Sequence, residues 1–209
     1  MFSKISAHGI SVRGVTMNEE NSKDLIVETT IKLINENKGD VNKVTIRDIC
    51  ERCSISVGLI NYHFKNKDNL ITISVQRIIS KIVASFKPDF SIGKDLNSYD
   101  ASKLRLKTAA LKVFNYLFAN PSIARISIMN DYNRYLKTTS SHASIKGFSS
   151  FIADGIDDEE EKERISFILT SSMQVAFLKS LSDHSFLGFD FNKEEDRIKY
   201  IDYLVDKLY

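Results

Sequence analysis

Cys50 and Cys53 are the only two cysteines, and they stand as Cys-x-x-Cys. That spacing can hold a redox pair or supply two zinc ligands. A structural zinc needs about four ligands, and only His63 lies close by in sequence, so the set is short. Both thiols also fall on one face of a predicted helix, with Ile46, Ile49, Cys50 and Cys53 at i, i+3, i+4 and i+7. On such a face cysteine behaves as a small buried hydrophobe, and packing is the stronger reading. Asp183-His184 could be half of a catalytic dyad, but no Ser or Cys nucleophile has a recognisable setting. There is no Gly-rich phosphate loop and no His-Glu-x-x-His motif. The histidines, His8, His63, His142 and His184, are scattered. These residues speak against an enzyme, and no metal or cofactor is expected.

A second set of polar residues points elsewhere. Thr45 and Asp48 are spaced to cap a helix reciprocally, a variant of the capping box. Ser54-Ile55-Ser56 breaks the helical pattern for three residues, and Ser56 can cap the next helix, Val57 to about His63. Two short helices joined by so tight a turn form a helix-turn-helix. A helix before them is predicted from a cap at Asn21 or Ser22 to a stop at Gly39, with Ile26, Thr30, Leu33 and Ile34 on one face. A helix after them runs from Lys67 to about Phe86, with Leu70, Ile71, Val75, Ile78, Ile79 and Ile82 as its stripe.

The rest of the chain reads as helices too. Two prolines and eight glycines in 209 residues leave few breakers, so an all-α fold is expected. Residues 88–100 read as a linker. Helices are predicted at about Ser102–Ala119, Pro121–Lys137, Ala143–Gly155, Asp157–Ser182 and Lys193–Leu208, with a loop containing Gly188 before the last. Residues 1–18 carry Gly9 and Gly14 and no helical period, and are read as a flexible tail; Met17 begins what looks like a natural start. No apolar run is long enough to cross a membrane as a helix, and a reducing cytoplasm is the expected location.

The run Thr45-Ile46-Arg47-Asp48, the Ser56-x-Gly58 start, Tyr62-His63-Phe64 and Lys67-Asp68 followed by Leu70 together resemble the DNA-binding signature of TetR-family transcriptional regulators. The likeness covers about residues 22–80; the remainder matches only in layout. It implies an N-terminal three-helix DNA-binding domain with a helix-turn-helix (residues 19–80) and a C-terminal helical ligand-binding and dimerisation domain (81–209). The protein would be a homodimeric repressor on a palindromic operator, with the last two long helices packed against the partner in a four-helix bundle. A small apolar or aromatic effector would release it. Alternatives are a member that organises DNA without an effector, and a helical small-molecule-binding protein that no longer binds DNA.

By the same resemblance, Thr45 and Ser56 would offer hydroxyls and helix-start amides to phosphates, beside their capping role. Val57, Gly58 and Leu59 would face the groove, with thymine methyls as partners for the two apolar side chains unless one packs inward. Asn61 would bond an adenine edge or a phosphate. Tyr62, His63 and Lys67 would contact phosphates, while a lone helical His is also often structural. Lys43, Arg47, Arg52 and Lys65 could add to a basic surface. Three positions depart from the family: Ser54 stands where Gly is frequent, Asn61 where Tyr is usual, and Val57 where a polar or Lys residue is often found. These leave the fold intact and bear on the operator.

In the C-terminal part, aromatic and Met residues recur at helical spacing. Phe114, Met129, Tyr132, Phe151, Met173 and Phe177 are the candidate effector-pocket residues. Ser171, Ser172 and Ala176 are small enough for close helix approach at a dimer face. The net charge of +2 hides +9 in residues 1–150 and −7 in residues 151–209. Residues 41–80 contribute only +3 of this, so the motif, rather than bulk charge, carries the DNA-binding expectation.

Overall fold

Side chains cap the starts of several helices in the computed structural model, which describes residues 10–12, 15–17, 19–85, 87, 89–133, 140–152, 156–183 and 185–209. Two three-residue strands come first, β1 (Ile10–Val12) and β2 (Val15–Met17), paired antiparallel with Ile10 opposite Met17. A tail without regular structure is the sequence-based expectation there. Two β-prone triplets separated by two residues, the second of them Gly14, have hairpin spacing, which a search for helical periodicity passes over.

Helix α1 spans Glu19–Glu36 and starts ahead of the predicted cap. Ser22 therefore lies inside its first turn, buried, with its hydroxyl donating to the Glu19 carbonyl at 2.8 Å. Gly39 ends the helix with φ 82°, and its N–H donates to the Ile34 carbonyl at 2.9 Å. After a short 3-10 turn at Val41–Lys43 come α2 (Ile46–Cys53), α3 (Val57–Phe64) and α4 (Lys67–Ser85). α1 packs on α2, and α2 on α3. Ile26, Ile34, Ile49, Ile60, Phe64, Leu70 and Val75 lose all solvent contact. Each such side chain stabilises the folded state by roughly 1.5–3 kcal/mol relative to an exposed one, so this core fixes where the short α2 and α3 lie. Cys53 is buried in it and Cys50 is half-buried, and burial pushes both thiols up.

The chain divides into two compact units, residues 1–78 and 79–209, with the division inside α4. The second unit contains α5 (Ser98–Ala119), α6 (Pro121–Asn133), α7 (Ser140–Phe151), α8 (Glu159–Ser180), β3 (Ser185–Phe186), β4 (Phe189–Asp190) and α9 (Glu194–Leu208). α5 begins four residues before the expected start, because the Asn97 side chain accepts the Asp100 N–H at 2.9 Å. β3 and β4 form a hairpin inside the expected loop, turning through Leu187 (φ 55°) and Gly188 (φ 81°). Two consecutive left-handed residues make the tight turn that suits a hairpin. Phe114 makes edge-on contacts with Phe118 (5.0 Å) and Phe191 (5.7 Å), and Phe118 with Phe177 (5.3 Å). Tyr200 closes this aromatic core, its hydroxyl donating to the Ser172 carbonyl at 3.1 Å, and burial pushes its phenol up to about 12.

The predicted helix ends at Phe86, Lys137 and Gly155, with Tyr135, His8 and His184, lie outside the described residues. Among the described residues, no helix is long and apolar enough to cross a membrane. Among them, too, no three His, Cys, Asp or Glu side chains stand together as a metal site would need.

Candidate nucleic-acid interface and ligand cavities

Thr45 opens α2 as its cap. Its hydroxyl accepts the Asp48 N–H at 3.2 Å and donates to Asp48 Oδ2 at 2.7 Å, while the Thr45 N–H donates to the same oxygen at 3.2 Å. The bond from the Thr45 hydroxyl is the main reason that the Asp48 carboxyl titrates below the usual range. α2 stops at Ser54, which takes left-handed angles (φ 55°, ψ 45°), and the Ile55 N–H returns to the Cys50 carbonyl at 3.0 Å. Glycine adopts that conformation without strain; serine does so at a modest cost.

Ser56 then caps α3. Its Oγ accepts the Leu59 N–H at a long 3.4 Å, so this cap is looser than that of α2. Eight-residue α3 is sharply two-sided. Ile60 and Phe64 face the core at zero exposure. On the other side Val57 is 50% exposed, Tyr62 is 68% exposed, and Gly58 and Asn61 are exposed, whereas Leu59 is half-buried. A Cβ added at Gly58 would meet only Ser56 Oγ at 3.7 Å, so the surface over this turn is open. A helix start with free N–H groups and an open, partly apolar flank can approach a polyanion and the base edges behind it.

Two of the candidate contacts are already engaged. His63 is half-buried, and its Nε2 lies 2.9 Å from the Ser22 hydroxyl. That bond ties the end of α3 to α1. The Tyr62 hydroxyl bonds to Glu19, which pushes its phenol up. Arg52 forks onto Glu36 at 2.6 and 2.7 Å, and Lys43 pairs with Asp40 at 3.6 Å. Arg47, Lys65 and Lys67 have no ion-pair partner among the described residues, and Lys67 stands at the first turn of α4. Sequence spacing could not distinguish the committed cations from the uncommitted ones, since Glu36 is sixteen residues from Arg52.

Among the described residues of the second unit, two cavities stand out. The first, about 560 Å³ with open solvent included, is mostly apolar, with Ile79, Val113, Leu117, Ile128 and Phe148 beside Thr170 and Gln174. The second, about 610 Å³ on the same basis, is lined by Asp131, Tyr132, Ser141, Phe167, Thr170 and Gln174 among others. Of the candidate pocket residues, Met173 lines the first and Tyr132 the second. Phe114, Phe151 and Phe177 instead fill the core, and Met129 is 44% exposed. Large side chains occupy space; the cavities open where Ala124, Ser127, Ser144 and Thr170 leave it free. The polar group of Asp131, Ser141, Thr170 and Gln174 has no sequence signature, because its members are spread over three helices.

Residues 26–72 match the sequence profile of the family described as bacterial regulatory proteins, tetR family. No curated protein matches the sequence. Among solved structures, the chain is similar to a tetR-family transcriptional regulator from Streptomyces coelicolor. The identity is 15% and the TM-score 0.57, over 92% of this chain and 80% of that one. A tetR-family regulator from Pectobacterium atrosepticum superposes with a TM-score of 0.58 at 14% identity, over 91% and 95% of the two chains. A TetR regulator from a Rhodococcus species gives 0.54 at 14% identity, over 90% and 96%. At such identities the likeness shows a shared fold: an N-terminal helix-turn-helix domain followed by a helical C-terminal domain.

Proposed function

The chain carries the DNA-binding domain of tetR-family regulatory proteins in residues 26–72, and from that premise we propose that it represses transcription as a homodimer released by a small molecule. Regulators of this family are transcription factors, not enzymes. The observation that carries the reading is the two-sidedness of α3. Ile60 and Phe64 anchor it, while Val57, Gly58, Asn61 and Tyr62 look outward from a helix start. Val57 reaches thymine methyls, Asn61 an adenine edge, and Leu59 the rim of the groove. Thr45, Ser56 and Lys67 hold phosphates and set the register. Tyr62 joins them by exchanging Glu19 for a phosphate. His63 supports the helix through Ser22.

Homodimerisation is supported by apolar surface on the last two long helices. Phe167, Ile168 and Val175 on α8, and Ile198 and Tyr203 on α9, are 39–55% exposed. Side chains of this kind rarely cluster on a face that stays in water. An effector seated in the second unit favours a dimer whose recognition helices no longer match half-sites about one turn apart, roughly 34–36 Å. A cytoplasmic location follows from that role.

Sedimentation equilibrium and a gel shift with a short inverted-repeat duplex selected from random DNA test the reading together. A dimer that shifts the selected duplex at salt levels where random duplex is unbound supports it. A monomer, or equal affinity for both duplexes, overturns it.

A further inference from the structure

Asp131 lies on α6 with 2% exposure, and its carboxylate is only half used. The Ser141 N–H and hydroxyl both donate to Oδ2 at 2.6 Å, and Gln174 Nε2 donates to the Ser141 hydroxyl oxygen at 2.8 Å. Those bonds join the start of α7 to α6 and α8, and they account for one oxygen. Oδ1 is buried and has no hydrogen-bond partner. Thr170 on α8 is 4% exposed, and its hydroxyl oxygen is likewise buried without a partner. Both residues line the second cavity, and Thr170 and Gln174 continue into the apolar one.

A buried carboxylate oxygen left without a donor is costly, and such groups in folded proteins usually find one. Among the described residues, no lysine or arginine lines either cavity. The rings of Tyr132 and Phe167 line the same cavity, both about half exposed. Aromatic faces attract cations and gain little from anions. A carboxylate oxygen without a donor, a hydroxyl without a partner and two rings around one space favour one ligand chemistry.

We propose that this cavity binds a small organic cation with N–H groups, such as an alkyl- or arylmethyl-ammonium. The ammonium donates to Asp131 Oδ1 and to the Thr170 hydroxyl oxygen, and an apolar body extends past Thr170 towards Ile128 and Phe148. The apolar cleft alone suits the apolar or aromatic effector expected from sequence; Asp131 adds a positive charge to that description. The proposal deepens the ligand-binding half of the function proposed above. It rests on that reading only for the consequence that binding alters DNA affinity.

The test uses the full chain and three probes of one shape: 1-naphthylmethylamine, 1-naphthalenemethanol and 1-naphthoic acid. Binding is read by calorimetry without DNA. The amine is expected to bind about tenfold to a hundredfold more tightly than the alcohol, as a charge-assisted hydrogen bond would give. The acid is expected to bind weakest. Asp131→Asn keeps the shape and can still accept from Ser141, and it should erase the preference for the amine. Thr170→Val leaves the Asp131–Ser141 bonds in place and should weaken the amine several-fold while sparing the alcohol. Circular dichroism establishes that each variant keeps its helices. An alcohol that binds as well as the amine, a preference that survives Asp131→Asn, or no amine binding at millimolar concentration would overturn the proposal. A gel shift run in parallel separates the two claims. Intact DNA binding without amine preference refutes only the cation site, and amine binding without any DNA shift refutes the regulator.

Discussion

Lys67 and Arg52 are both cations near α3, yet replacing them should have different consequences for DNA binding. Arg52 spends its guanidinium on Glu36 through two bonds of 2.6 and 2.7 Å, which raise the arginine and lower the carboxyl. The pair is locally neutral before DNA arrives, so Arg52 has little charge left to release a counterion. Lys67 has no such partner among the described residues. Each phosphate neutralised contributes about 0.9 to the slope of log affinity against log salt. A dimer presents Lys67 twice, so Lys67→Ala should flatten the slope by about 1.8. Between 50 and 200 mM salt the wild-type dimer would then lose roughly tenfold more affinity than the variant. Because the contact is to phosphate, the loss at low salt should be equal for selected and random duplexes. Arg52→Ala should leave the slope unchanged. Fluorescence anisotropy with labelled duplex over a salt series measures both. A Lys67→Ala slope equal to wild type would refute the phosphate contact, as would a loss confined to the selected duplex. A flattened slope in Arg52→Ala would show that its bond to Glu36 opens on DNA.

Three further outcomes are expected. Ser54→Gly should raise stability by about 0.5–1 kcal/mol, because φ 55° strains serine and the gain is partly offset by the greater freedom of glycine in the unfolded chain; a urea midpoint that falls at constant slope would count against it. Asp48 titrates below its ordinary value of 3.8 in the folded state. Its stabilisation is therefore present above that value and is lost as pH falls through the lowered pKa; the acid limb of an ellipticity titration should be shallower in Asp48→Asn, and an identical limb would refute the linkage. Val57→Ala should alter the base preference recovered from a random duplex pool more than Leu59→Ala does, since Val57 is 50% exposed and Leu59 half-buried; the reverse order would mean that α3 turns a different side to the groove.

What could be read from sequence follows from how local its cause is. The caps at Thr45 and Ser56, the left-handed stop at Gly39 and the three-residue turn at Ser54-Ile55-Ser56 each depend on neighbours within a few residues, and each stands where its spacing predicts. The start of α5 was equally local but was masked by composition. Asn97-Ser98-Tyr99-Asp100 has the polarity of a linker, although Asn97 with Asp100 three residues on is also a cap. Interactions across long separations left no trace in the pattern. Ser22 with His63, Glu36 with Arg52, Asp131 with Ser141, and Ser141 with Gln174 join residues ten or more positions apart. Of the six candidate pocket residues, Met173 and Tyr132 line cavities, and the others lie elsewhere for a further reason. A search for large aromatic side chains finds what fills a core, as Phe114 and Phe177 do, whereas a cavity is made by small residues and by polar groups that lack a partner.

The central claim is that two copies of α3 read one palindromic site. Selection of duplexes from a random pool by the wild-type protein, repeated with Asn61→Ala, tests it most directly. The account predicts an enriched inverted repeat whose half-site centres lie about one helical turn apart, with base preference relaxed at the same position of both halves in Asn61→Ala. Enrichment of no motif, or of a single unrepeated half-site, would contradict it.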